Sequence, residues 1–150
     1  MYDPIRFATA DDAQSIAGFQ VAMAMETKNK TLEPDKVLTA VQSVFEDPQK
    51  GFYLVADVDH EVVGSLMITY EWSDWRNSNM WYIQSVFVKS ANRGNGLFSQ
   101  MYHKVMELAK EKNVMYVRLY VETENEKAQK AYENLGMKRM PYYMYDVKVE

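Results

Sequence analysis

The chain has 150 residues, with 17 basic and 21 acidic side chains, a net charge of −4 and no cysteine. That length suits a single domain spanning residues 1–150, which should bury about 70% of its unfolded surface. The acidic excess, with no clustered basic stripe, argues against a nucleic-acid binder, and the missing thiol excludes disulfides, thiolate zinc sites and a cysteine-borne acyl intermediate.

The start, Met1-Tyr2-Asp3-Pro4-Ile5-Arg6, has no basic patch leading into an apolar run, so no signal peptide is expected. No apolar stretch approaches the ~18 residues of a membrane span, so the default is a soluble, cytoplasmic protein. A short strand at Ile5 to Ala8 leads into Thr9-Ala10-Asp11-Asp12, whose Thr and following acid resemble an N-cap. The helix it opens carries Ile16, Phe19, Val21 and Met23 and fades near Glu26-Thr27. A second helix begins at Pro34, sets Val37, Leu38, Val41, Val44 and Phe45 on one stripe, and ends at Asp47-Pro48.

Three strands follow, Phe52 to Asp57, Val62 to Trp72 and Met80 to Lys89, rich in Val, Ile, Tyr, Phe and Trp. Asp57-Val58-Asp59-His60 turns between the first two, and a polar loop, Ser73 to Asn79, joins the second pair. After Arg93-Gly94-Asn95-Gly96 the period becomes helical, with Leu97, Met101, Val105 and Leu108 on one face. A strand over Val114 to Val121, a helix with Ala128, Ala131, Tyr132 and Leu135 stopping at Gly136, and a last strand over Tyr142 to Val149 complete the chain. The order βααβββαβαβ mixes antiparallel hairpins with one crossover, so the expected fold is α/β (α+β) around a mixed sheet.

The main chemical signal is strand, glycine loop, helix: Ile83 to Val88, Arg93-Gly94-Asn95-Gly96, then the helix from Leu97. A helix N-terminus presents free amides and a positive dipole end, and glycines before it let a phosphate approach the backbone. An ordinary turn favours the same residues. Neither the nucleotide-hydrolysing P-loop pattern nor the dinucleotide pattern is present.

A second signal, Asn125-x-x-Ala128-x-x-x-Tyr132 with Leu135-Gly136-Met137, lies downstream. Together the two segments resemble the motifs of the GNAT-type N-acetyltransferase superfamily: Arg93 and Gly96 match its Arg/Gln-x-x-Gly loop, and Asn125, Ala128, Tyr132 and Gly136 its later signature. Phe98 stands where that family usually has Gly or Ala, Met137 replaces its Phe, and Gln84 occupies a strand position where many relatives carry an acid.

The resemblance implies a mostly antiparallel central sheet of six to seven strands flanked by about four helices. It implies direct transfer of an acetyl group from acetyl-CoA to a primary amine of a small molecule, such as an amino acid or polyamine, with no metal. Backbone at Val86, Phe87 and Val88 would pair with the pantetheine arm, and one amide there would polarise the thioester carbonyl. The amides of Arg93, Gly94, Asn95, Gly96, Leu97, Phe98 and Ser99 would hold the pyrophosphate, Asn125 would bond the cofactor arm, and Tyr132 would protonate the leaving thiolate. Core packing is the plain alternative for Tyr132.

An amine of pKa about 10 must lose a proton before attack, and the carboxylates considered for that step are Glu26, Glu71 and Asp74, with Glu26 and Glu71 preferred. The chain holds 3 Trp, 11 Tyr and 6 Phe, and all three tryptophans fall between Trp72 and Trp81. In the family that the motifs resemble, this strand–loop–strand region flanks the acceptor site, as does the link Met25 to Leu32, so the resemblance makes Trp72, Trp75, Arg76, Tyr82 and Gln84 the expected acceptor-binding residues. Aromatics beside acids suit a cationic amine, whereas Arg76 suits an acceptor carboxylate. The rival readings of this window are an interface with a second copy, giving a homodimer, and core packing. Two readings compete with a small-molecule acetyltransferase: a non-catalytic CoA-binding or regulatory module with the same fold, and an enzyme that acetylates protein N-termini or lysines.

Overall fold

The computed structural model describes residues 3–150; Met1 and Tyr2, on which the reading of the N-terminus partly rests, lie outside it. The chain divides into two units, one ending at Leu119 and one comprising Tyr120–Glu150.

The first unit contains β1 (Ile5–Phe7), α1 (Ala13–Lys28), α2 (Pro34–Glu46), β2 (Phe52–Val58), β3 (Glu61–Ser73), β4 (Ser78–Val88), α3 (Leu97–Glu111) and β5 (Val117–Arg118). Its sheet runs in sequence order, β1-β2-β3-β4-β5; the first three pairings are antiparallel and the last is parallel. Thr9 N–H donates to Asp12 at 2.8 Å and closes the turn before α1. Arg6 then ties that turn to the sheet: it meets both Asp12 oxygens at 2.8 and 3.2 Å and Asp57 at 3.1 Å. Pro34 opens α2 as expected, because a first-turn residue loses nothing by lacking an N–H. Asp59 and His60 both have positive φ, 53° and 68°, the conformation of the tight turn that matches strand twist.

Alternation along β2 and β3 divides the core into two layers. Tyr53, Val55 and Met67 face α1 and α2, where Ile16, Ala17 and Val41 meet them and the expected α2 stripe of Val37, Leu38, Val44 and Phe45 packs. The alternate residues Leu54, Ala56, Leu66 and Ile68 are fully buried on the other face. There α3 packs on β1, β2 and β4, burying Met101 and Val105 completely.

The β3–β4 hairpin is longer than its neighbours, since β2 reaches only Ile68 and β5 meets only Trp81 and Tyr82. Between Met67↔Gln84 and Ser65↔Phe87, β4 advances one residue more than β3, a bulge at which Ser85 takes φ 54°. A bulge bends and twists its strand.

The second unit holds α4 (Glu126–Asn134). Asn125 caps it by accepting from Ala128 N–H at 3.1 Å. At the other end Gly136 takes φ 99°, Met137 N–H reaches Tyr132 O and Gly136 N–H reaches Glu133 O, the paired bonds of a left-handed helix stop.

The described residues thus form five strands and four α-helices, not the six to seven strands expected. The strand expected over Val114 to Val121 shrinks to Val117–Arg118, because β5 keeps register with β4 for only two residues before the bulge diverts β4. No strand forms within the second unit over the expected Tyr142 to Val149: its Tyr and Val residues favour β structure, but that unit offers only α4 and no strand to supply a ladder.

Candidate active site

Within the first unit, β4 has no strand partner on its outer side after Tyr82, so Ile83–Val88 present a backbone edge beyond the bulge. It includes Val86, Phe87 and Val88, the residues expected to pair with a pantetheine arm. Phe87 anchors it from below: its ring stacks on Phe19 of α1, with centroids 5.1 Å apart.

Between this edge and the end of α1 lies a cleft of about 370 Å³ lined by Met23, Glu26, Thr27, Val86, Phe87, Val88 and Arg93. It gathers four expected cofactor residues and one expected base. Arg93 Nε–H donates to Val88 O at 2.8 Å, and its guanidinium lies 5.5 Å from the Phe87 ring centre. Its Nη2 meets both Glu26 oxygens, at 3.0 and 3.2 Å. Glu26 therefore faces the glycine loop with both oxygens on a guanidinium. A longer groove of about 560 Å³ shares Glu26 and Phe87 and continues past Ala22, Gly18 and Gln14 on α1.

The loop after β4 suits an anion. Gly94 and Gly96 take φ 84° and 76°, and a Cβ on either would meet nothing within 4 Å, so the space above the backbone is open. Helix α3 starts with no side-chain cap, and its first helical bond runs from Gln100 N–H to Gly96 O. The amides of Leu97 and Ser99, in that first turn, make no bond within the helix and can face an outside acceptor. Phe98 does not obstruct this end: its ring packs toward Tyr102, one turn on, with centroids 6.5 Å apart. Asn95 is exposed at the tip. An extended backbone edge leading into an amide-rich, glycine-opened helix end fits a thioester arm followed by a pyrophosphate.

The expected acceptor residues divide by sheet face. Thr69 and Glu71 stand opposite Tyr82 and Met80, placing Glu71, Tyr82 and Gln84 on the α1 side of the long hairpin. Gln84 Nε2–H donates to Thr69 Oγ1 at 2.6 Å. Arg118, opposite Tyr82, brings its guanidinium to 3.7 Å from Glu71. Alternation sends Trp72 to the other face, where Trp81 is buried against Phe52 and Tyr70. Trp75 sits in the hairpin turn, 91% exposed. Arg76 lies 4.7 Å over the Tyr116 ring, so its charge is already partnered by a π-face. Core packing thus accounts for one tryptophan, and two are exposed.

Asn125 and Tyr132 belong to the second unit. Asn125 spends its side-chain oxygen on the cap and keeps its amide N–H₂ as donor. Burial pushes the Tyr132 phenol above its ordinary value, which keeps it protonated at neutral pH.

Ser85, Thr69, Arg118 and Tyr116 carry no local signal in the sequence. Nothing in a serine or an arginine announces a bulge or an ion pair; these roles exist only once β3, β4 and β5 are in register.

The acetyltransferase (GNAT) family model matches residues 19–137, most of the chain, and the protein belongs to that family. A crystal structure described as that of a possible acetyltransferase from Clostridium difficile 630 superposes with a TM-score of 0.91, at 40% identity over 97% of both chains. A thialysine N-epsilon-acetyltransferase from Bos taurus is 35% identical over 75 residues, which cover 50% of this chain and 44% of that protein. The chain therefore matches less than half the length of that relative. A Clostridium acetobutylicum protein described as a predicted acetyltransferase with acetyl-CoA shares the fold, with a TM-score of 0.79 at 13% identity. Among the described residues, no helix is long and apolar enough to cross a membrane.

Proposed function

We propose that this protein is a single-domain N-acetyltransferase that moves the acetyl group of acetyl-CoA directly to a primary amine of a small molecule in a ternary complex. The observation that carries this reading is the outer edge of β4, without a strand partner in its own unit from Ile83 to Val88 and leading into the Gly94–Gly96 loop at the start of α3. Acetyl-CoA supplies an activated thioester, so the protein must supply orientation, hydrogen bonds to developing charge and paths for two protons.

Backbone amides at Val86 to Val88 hold the arm and aim a donor at the thioester oxygen. The amides of Gly94, Asn95, Gly96, Leu97 and Ser99 take the pyrophosphate, the expected Arg93 amide being spent on Ser90 O at 3.3 Å, and the Asn125 amide adds a donor to the arm. Tyr132, kept protonated by burial, donates to the departing sulfur. Glu71 receives the amine proton: it shares a face with Tyr82 and Gln84, and its half-exposed side chain can pass the proton on to water. Glu26 is the weaker candidate for base because Arg93 occupies both its oxygens.

The acceptor is an amino acid or polyamine-like amine. The named activity of the bovine relative, on the side-chain amine of an amino-acid analogue, supports that class. So does the mixture of Glu71 and Arg118 charges on the acceptor face, which suits a molecule bearing both signs. A cytoplasmic location goes with this cofactor.

Calorimetry with acetyl-CoA, followed by steady-state kinetics of Tyr132→Phe, tests the reading. The wild-type chain should bind acetyl-CoA. The variant should bind it equally well while kcat falls by about 100-fold or more. An unchanged kcat would remove Tyr132 as the acid, and absence of binding would remove the cofactor.

A further inference from the structure

Glu26 and Arg93 are 67 positions apart in sequence and yet form a two-oxygen contact across the mouth of the cleft. Arg93 does not need Glu26 to be held in place. Its Nε–H is fixed on Val88 O, and its plane lies over the Phe87 ring. What Glu26 adds is charge: it presents an anion to the Nη2 of the one guanidinium in the loop where an anionic ligand is expected. It does so from the last turns of α1, at the junction of the two grooves that run along that helix.

We infer that Glu26 sets the affinity of the cofactor loop by competing with the ligand's pyrophosphate for Arg93. Glu26 is thus a positioning residue that acts through Arg93, and this inference rests on the acetyl-CoA reading above. In the free protein the carboxylate neutralises the guanidinium. When the pyrophosphate enters, Arg93 exchanges one anion for another, pivoting on its bond to Val88, and Glu26 is released at the end of α1 beside the residues that link α1 to α2. Linkage makes the exchange reciprocal: whatever the pair contributes to the free protein is subtracted from cofactor binding. Both side chains are about half exposed, so the pair is of the surface kind, which caps the effect at about fivefold in affinity.

The test is calorimetric titration of the full chain with CoA and with pantetheine, which has the arm but no phosphates, for wild type, E26Q, R93Q and the double variant. Circular dichroism checks that each is folded. E26Q should bind CoA about two- to fivefold more tightly, leave pantetheine unchanged and steepen the salt dependence of CoA binding, because an unpaired cation meets the phosphates. R93Q should weaken CoA, and adding E26Q to it should produce no further gain. Equal CoA affinity in wild type and E26Q would overturn the inference, as would the same gain in the R93Q background. If wild type binds no CoA at all, the cofactor reading falls and this one with it, an outcome distinct from equal, measurable affinities.

Discussion

Asp12 shows how one carboxylate can hold an element in place. Burial acts to raise its pKa, but hydrogen bonds from Arg6 and Thr9, with the Arg6 charge, outweigh burial and hold it below the usual carboxylate range. A carboxylate lowered in the folded state stabilises the fold above its unfolded value of about 3.9, and that contribution is lost as pH falls through the lower folded value. Asp12→Asn should therefore cost about 1–3 kcal/mol at pH 7, and urea denaturation should show the gap to wild type closing below about pH 4. A gap independent of pH would mean the charge is irrelevant. Tyr132 works in the opposite sense. Because burial favours its neutral form, activity should show no loss from its ionisation until above about pH 10. At this scale the glycine loop, Arg93, Asn125 and Tyr132 were legible as motifs, because backbone freedom and helix caps are local. The partner of Arg93 was not: Glu26 reads equally well as a base or a surface charge until α1 is laid beside β4.

Elements were legible where a single periodicity dominated. The stripe of α2 and the Leu97-Met101-Val105-Leu108 face of α3 pack as read. Strand extents near the site were not, because β5 and the last expected strand depend on partners, and a bulge at Ser85 leaves no mark on composition. Glycines in these elements separate two kinds of constraint. A Cβ on Gly51, at φ 144°, would stand 2.1 Å from the Ile68 carbonyl oxygen, so β2 and β3 would have to part. Gly51→Ala should lower stability by about 3 kcal/mol. Gly18 in α1 has nothing within 4 Å of such a Cβ, and Gly18→Ala should raise stability by about 0.5–1 kcal/mol through helix propensity. Chemical denaturation midpoints of the two variants check both signs at once; a shift in the same direction for both would contradict the packing described.

For the molecule as a whole, the absence of cysteine and the β4 edge left without a strand partner in its own unit point to the same chemistry. A chain with no thiol cannot carry an acetyl group on cysteine, and a strand edge leading into a glycine-opened helix end offers a track for an activated thioester brought from outside. The tryptophan window, conspicuous in sequence, resolves into one core residue and two exposed ones, while Glu71, Tyr82, Gln84 and Arg118 share one face of the hairpin, the face proposed to choose the acceptor. The family was legible because its motifs are short and ordered. The proposed acceptor face was only partly so, since alternation decides which side chains share it. The most direct test of the central claim is the initial rate of free thiol release from acetyl-CoA by the wild-type protein across a panel of amino acids and polyamines. Release should require an amine, saturate with it and yield one acetylated amine per thiol. Acetyl-CoA bound with no amine-dependent release anywhere in the panel would contradict that claim.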